Sequence, residues 1–210
     1  EIGVRLVGSE MCIRDRQGGG PLIDIGTHAL DITLWMMDNY EPVSVSGQVF
    51  YKLGRQADGP EGNVFGPWDP ETFEVEDSAF GLVKMKNGAT IFLEASWALN
   101  VLKSMEASTT LCGTKGGAEI HHGGSYPQDE LIYNNVEHNQ LMEKTISPAG
   151  VVDFFEGGAP AEAVREQEQW LNAIMNDTDP LVKPEQAFVV TQILEAIYKS
   201  AETGKEIFFD

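Results

Sequence analysis

Cysteine is nearly absent from the chain: there are 2 in 210 residues, Cys12 and Cys112, far apart and without CxxC spacing. Such a pair builds neither a disulfide framework nor a thiolate zinc site, and it suits a reducing compartment. Basic residues are also scarce, with 14 Lys and Arg against 33 Asp and Glu, for a formal net charge of -19 at pH 7. A surface of that sign repels phosphate backbones and anionic lipid headgroups, so nucleic acid is not an expected partner. The acidic residues are dispersed rather than gathered into a tail, which reads as a solvated acidic surface. No run approaches the ~20 consecutive apolar residues of a membrane span, and the first residues lack the basic-then-apolar order of a secretory signal. These absences predict a cytoplasmic protein with no membrane partner.

Hydrophobic residues make up 42% of the chain, ordinary for a globular protein of one sizeable domain. Residues 1–17 show no clean period of 2 or 3.6, and VGSEMCIRDR resembles translated adaptor sequence. They are read as a non-native or unassigned leader, with the folded domain over 18–210 and the chain as a fragment of a longer protein. From residue 18 the pattern sharpens. Gly18, Gly19 and Gly20 precede Pro21, and Ile25, Ala29, Ile32 and Met36 recur at helical spacing, predicting a helix over 21–37. Residues 38–42 break it, VSVSGQVFYKL opens a β region, and a polar loop over 54–70 is long enough to form a lid or an arm.

FEVEDSAFGLVKMK and ATIFLEASWAL flank Asn87-Gly88, a hairpin signal because both residues tolerate positive φ. Ile91, Leu93, Ala95 and Trp97 share one face of the second arm, and Thr90, Phe92, Glu94 and Ser96 the other. Further strands are expected in SMEASTTLCG, GGAEIHH, ELIYNN and the segment 136–146, giving six to eight in all. Helices over about 160–176 and 184–203 close the chain, the second capped by Gly204. The expected class is α+β, a large, mostly antiparallel open-faced sheet with helices on one face. The other face, with Phe92 amid polar residues, is left for a twin, predicting a homo-oligomer; a face simply wetted by solvent is the alternative.

Asp24 and His28 stand four apart on the first helix and project together, with Asp31 three positions further on. A carboxylate can fix the tautomer of an imidazole through one ring nitrogen while the other takes a proton near neutral pH, which is the equipment of a general base. A solvated or core-satisfied pair has the same spacing. His121-His122 with His138 invites a metal reading, which with Asp24 and His28 would suggest a hydrolase-like site. Adjacent strand residues point to opposite faces, however, so no metal is expected. KGGA at 115–118 lacks the Walker arrangement. Trp97 can offer an aromatic face to a sugar or pack in the core; Trp68 is a comparable lid candidate, and Tyr126 is too weakly placed for a role.

GGGPLIDIGTHALDITLWMM resembles the segment that opens the C-terminal domain of the Gfo/Idh/MocA family of oxidoreductases. VEDSAFGLVKMKNGATIFLEASWAL is similar to that family's central hairpin, LCGTKGGAEI to its later strand-turn-strand, and the stretch from EQEQWLNAIM to ETGKEI to its closing helices. The resemblance implies a fold like the C-terminal domain of glyceraldehyde-3-phosphate dehydrogenase and a parent that oxidises a sugar, cyclitol or related polyol with NAD or NADP. It places Asp24 and His28 in the catalytic set, with Gly19, Gly20 and Trp97 against substrate. The chain departs from the family in two ways: no G-x-G-x-x-G follows a strand, and the Glu-Lys-Pro motif is missing. The N-terminal Rossmann domain is therefore read as absent, with no cofactor bound by this chain alone and the chain inactive without it. A non-catalytic, sheet-based dimerisation or binding module is the alternative.

Overall fold

A computed structural model describes residues 19–56, 69–102, 108–121, 130–146 and 162–209. The leader, Gly18, Trp68, His122 and Tyr126 lie outside them. Two compact units divide the chain, Glu1–Val101 with Phe188–Asp210, and Leu102–Ala187.

The first unit opens with a π-helical turn, Leu22–Gly26, that runs directly into α1, Thr27–Met37. Three strands follow, β1 (Pro42–Phe50), β2 (Ser78–Met85) and β3 (Thr90–Ser96). The second unit holds β4 (Thr109–Cys112), β5 (Gly116–His121), β6 (Glu130–Glu137), β7 (Gln140–Ile146) and α2 (Glu162–Asn176). Helix α3 (Pro184–Thr203) and a short β8 (Ile207–Phe208) close the chain. The class is α+β, as the sequence predicts, and the strands form two antiparallel four-stranded sheets, β3-β2-β1-β8 and β4-β5-β6-β7.

Helices cover one face of the first sheet. Leu22, Leu30 and Leu34 join Val45, Ala79, Val83, Ile91 and Leu93 from the strands and Val190, Ile193, Leu194 and Ile197 from α3 in one buried cluster. Gly47 and Gly81 are register partners, and a Cβ on either would stand 2.6–2.7 Å from side-chain atoms of Ile197. Two glycines side by side thus let α3 lie almost on the sheet backbone. On the opposite face Phe50, Phe80, Leu82 and Phe92 project, with Phe92 79% exposed and the Phe50 and Phe80 rings edge to face at 5.9 Å.

Three local expectations are corrected. The buried stripe of the first helix is Leu22, Gly26, Leu30, Thr33 and Leu34, while Ile25 and Ile32 are exposed. Both stripes have helical spacing on a helix apolar nearly all round, so periodicity cannot select between them. The β2–β3 connection is a three-residue loop, with Gly88 N–H donating to Met85 O and only Gly88 at positive φ (89°). The two-residue turn with both φ values positive falls instead at His138-Asn139 (53° and 63°), splitting the stretch 136–146 into the end of β6 and all of β7. Among the described residues no helix is long and apolar enough to cross a membrane.

Candidate functional site

The head of the first helix is anchored by a buried carboxylate. Pro21 has no N–H to offer, and the amides on either side of it, Gly20 and Leu22, both donate to Glu76, to Oε2 and Oε1 at 3.0 Å each. A carboxylate at a helix N-terminus satisfies orphan donors and opposes the positive end of the dipole. Tyr198 of α3 donates its hydroxyl to the same Oε1 at 2.7 Å. Burial, followed by that hydrogen bond and the charge of Glu76, pushes the Tyr198 phenol far above its ordinary range. Glu76 is 2% exposed, and a Cβ on Gly20 would stand 2.1 Å from its carbonyl oxygen. Packing against Glu76 at the helix entry therefore by itself demands glycine at this position. At Gly19 a Cβ would meet Ile23 Cδ1 at 2.7 Å.

Asp24 sits in the middle of the π turn, its N–H donating to Gly20 O at 3.1 Å. Its Oδ2 accepts the indole N–H of Trp97 at 3.1 Å. Trp97 lies one residue past β3, held there by its own N–H to Asp77 O at 3.0 Å. His28 follows in the first turn of α1 and is exposed, on a stripe that also shows Ile25 and Ile32. Asp31 stands on α1, where its charge contributes with Asp38 to raising the Tyr40 phenol, after burial as the main cause. The structure brings Asp24 and Trp97 into contact, with His28 one helical step beyond.

Glu76, Asp77 and Tyr198 escape sequence reasoning. FEVEDSAFGLVKMK reads as one continuous strand, but β2 starts only at Ser78, and both preceding acids are buried. Asp77 Oδ2 accepts the amides of Lys52 (2.5 Å) and Gly54 (3.0 Å), closing the bend after β1. The available signal was two consecutive acids at a position where alternation calls for an apolar residue.

The two described histidines of the second unit, His121 and His138, lie apart. His121 Nε2 lies 3.0 Å from Glu119 Oε2 and opposes Glu130 at the start of β6, whereas His138 forms the turn after its end. Seven residues of strand separate those levels, on the order of 23 Å. Among the described residues no group of three His, Cys, Asp or Glu is placed to hold a metal ion.

This constellation sits in a chain that matches the oxidoreductase family's C-terminal alpha/beta domain, Gfo/Idh/MocA, over residues 13–208. The chain belongs to that family. It is 33% identical over 194 residues to D-glucoside 3-dehydrogenase of Escherichia coli (strain K12), covering 92% of this chain and 50% of that protein. Aldose-aldose oxidoreductase from Caulobacter crescentus, solved in complex with glycerol, superposes with a TM-score of 0.68 at 21% identity, over 93% of this chain and 50% of its own. An oxidoreductase from Agrobacterium radiobacter, solved with NAD+, L-tartaric acid and magnesium, gives 0.59 at 18% identity, over 90% and 50%. The chain thus spans about half the length of its curated relative. Among the described residues every strand pairing is antiparallel and no βαβ crossover is formed.

Proposed function

We propose that this chain supplies the substrate-handling part of a nicotinamide-dependent dehydrogenase acting on a sugar, cyclitol or related polyol. The observation that carries the reading is Asp24, held by an indole N–H at the head of the family's first helix, with His28 exposed one turn on. The relationship to D-glucoside 3-dehydrogenase supports a sugar-like substrate. In this reading His28 accepts the proton of the substrate hydroxyl as its carbon is oxidised, and Asp24 orients the ring or binds a neighbouring hydroxyl. Gly19 and the indole face of Trp97 border the same head of the helix and complete the substrate side. NAD or NADP, when bound in the whole protein, would supply the hydride acceptor; no step of that transfer is assigned to the residues described here. Without the cofactor-holding part the chain does not turn over. In the dehydrogenase that contains this chain, His28→Ala lowers turnover by ~10² to 10⁴ with cofactor affinity little changed. Unaltered turnover ends the assignment.

The outer face of the first sheet supports a second copy of the chain as partner. Ser46, Leu82 and Phe92 align across β1, β2 and β3, next to the row Gln48, Phe80 and Glu94, so the exposed rings form one band. A self-complementary, two-fold contact buries such a band on both copies at once. Light scattering at micromolar concentration is expected to report a dimer or larger, and Phe92→Arg a shift toward monomer. A monomeric wild-type protein removes the proposal. Free, exposed Cys112 is compatible with the cytoplasm, where we place the protein.

A further inference from the structure

The Asp24 carboxylate is held from two directions by one dipeptide. Glu76 grips the helix head through the Gly20 and Leu22 amides, and the Gly20 carbonyl accepts the Asp24 N–H. The carbonyl of the next residue, Asp77, accepts the Trp97 N–H, and the Trp97 indole donates back to Asp24 Oδ2. The path Gly20, Asp24, Trp97, Asp77, Glu76 and back to Gly20 is a closed circuit of hydrogen bonds and one peptide link. Its base is rigid, since Glu76 and Asp77 are 2% and 1% exposed, and Tyr198 braces Glu76 from α3.

From this circuit we propose that Glu76 and Trp97 are positioning residues that fix where the Asp24 carboxylate points; the inference rests on Asp24 and His28 forming the substrate-handling pair. The indole holds Oδ2 and so sets the rotation of the carboxylate, which decides where Oδ1 is aimed. Glu76 sets the height and tilt of the turn from which that side chain springs. Glu76 needs no contact with substrate, and Trp97 acts here through its indole N–H, apart from the contact its ring face makes. A displacement of about 1 Å at a group that orients a reacting centre can cost ~10² in rate, so loss of either brace is felt in turnover.

Two readouts test this, one of them independent of activity. In the ¹⁵N-labelled 210-residue chain, the Trp97 indole N–H signal is identified by its disappearance in Trp97→Phe, which keeps an aromatic ring and removes the donor. That signal is expected to exchange slowly with water, to move and exchange quickly in Asp24→Ala, and to stay in place in His28→Ala. Glu76→Gln, which removes one acceptor oxygen from the helix head, is expected to shift it as well. In the dehydrogenase that contains the chain, Trp97→Phe and Glu76→Gln are expected to lower kcat by about 10- to 100-fold while KM stays within about threefold. An indole signal indifferent to Asp24→Ala, or an unchanged kcat in Trp97→Phe, overturns the proposal. If Glu76→Gln does not fold, Tyr198→Phe disturbs the same carboxylate and is read by the same two signals. Should His28→Ala leave turnover intact, the functional reading fails while the indole signal still reports on the circuit. Should His28→Ala abolish turnover and Trp97→Phe leave it untouched, the positioning role alone is lost.

Discussion

Where the first unit packs Leu30, Leu34, Val45, Val83, Ile193 and Ile197 against one another at full burial, the second buries Ala173 and His121 and leaves every described residue of β7 exposed. Helix α2 likewise shows Trp170, Leu171, Ile174 and Met175 with more than half their surface open. Apolar burial is the dominant favourable term in folding, at roughly 25 cal/mol per Å². Among the described residues, the apolar burial that resists unfolding therefore concentrates in the unit that carries Asp24 and His28. In the second unit the sheet is specified by local means: the His138-Asn139 turn fixes the β6–β7 register, and backbone ladders do the rest.

The largest effect that tests this contrast is a cavity. Ile197 is fully buried, and both Gly47 and Gly81 close directly on it. Ile197→Ala removes the atoms on which two backbones rest, and it is expected to lower the unfolding free energy by ~2–5 kcal/mol. Ile174→Ala, at 62% exposure in the second unit, should stay within about 0.5 kcal/mol. Urea titrations of the two variants settle the matter. A loss at Ile174 as large as at Ile197 would show that the α2 face is core and would break the contrast.

A smaller effect probes the anchor of the site. Tyr198→Phe removes one donor from the buried Glu76 carboxylate, a hydrogen bond to a charged group worth about 1.5–3 kcal/mol. It should also change the alkaline behaviour. The folded phenol titrates above its ordinary value of 10.0 because burial and Glu76 disfavour its anion. A raised folded value contributes stability that is complete below the unfolded value and is lost as pH rises through it toward the folded one. Melting temperatures of the wild-type protein should therefore fall above about pH 10, and less steeply in Tyr198→Phe; Tyr40 and Tyr51, also raised, leave a residual slope. Identical slopes in the two proteins would detach Tyr198 from the anchor.

These residues show how far the sequence alone reaches. Helix α3 was legible to the residue, because Pro184 at its start and Gly204 (φ 66°) past its end are local signals. Asp24 and His28 are chosen from spacing and from a family motif, and the structure sets the Trp97 indole on Asp24. The inward stripe of the first helix was not legible, since a helix with apolar residues on every side offers two equivalent phases and only the sheet beneath selects one. The true position of the tight turn was hidden for a related reason. Asn87-Gly88 carries the stronger local signal, yet strand register gave that hairpin a third loop residue and left the two-residue turn to His138-Asn139. Glu76 was invisible because its meaning lies in partners 54, 56 and 122 residues away, and an acid between two strands reads as solvent-facing until those partners arrive.

The smallest effect asks whether the units differ in surface charge as they do in burial. Each carries a partly exposed glutamate that accepts from a lysine and from one further side chain. Glu206 accepts from Lys84 Nζ at 2.8 Å and from Ser44 Oγ at 2.6 Å, and these bonds hold its carboxyl below the usual range. Glu137 accepts from Lys144 at 2.9 Å and Asn135 at 3.0 Å, and is lowered in the same way. A depressed folded value contributes stability above the unfolded carboxylate range, and that stability is lost as pH falls through the folded value. Glu206→Gln and Glu137→Gln should therefore flatten the acid limb of stability without altering the neutral plateau by more than the small amount typical of surface pairs, and salt should erase most of the difference. Of the two, Glu206→Gln should act more strongly, because Ser44 is 1% exposed and its hydroxyl would exchange a charged acceptor for a neutral one, whereas Lys144, the main partner of Glu137, is half exposed and can turn to water. Acid titrations at low and high salt measure both. A larger loss at Glu137 would mean that the second unit leans on its surface charges to offset its sparse burial, and the contrast between the units would then be one of mechanism rather than of degree.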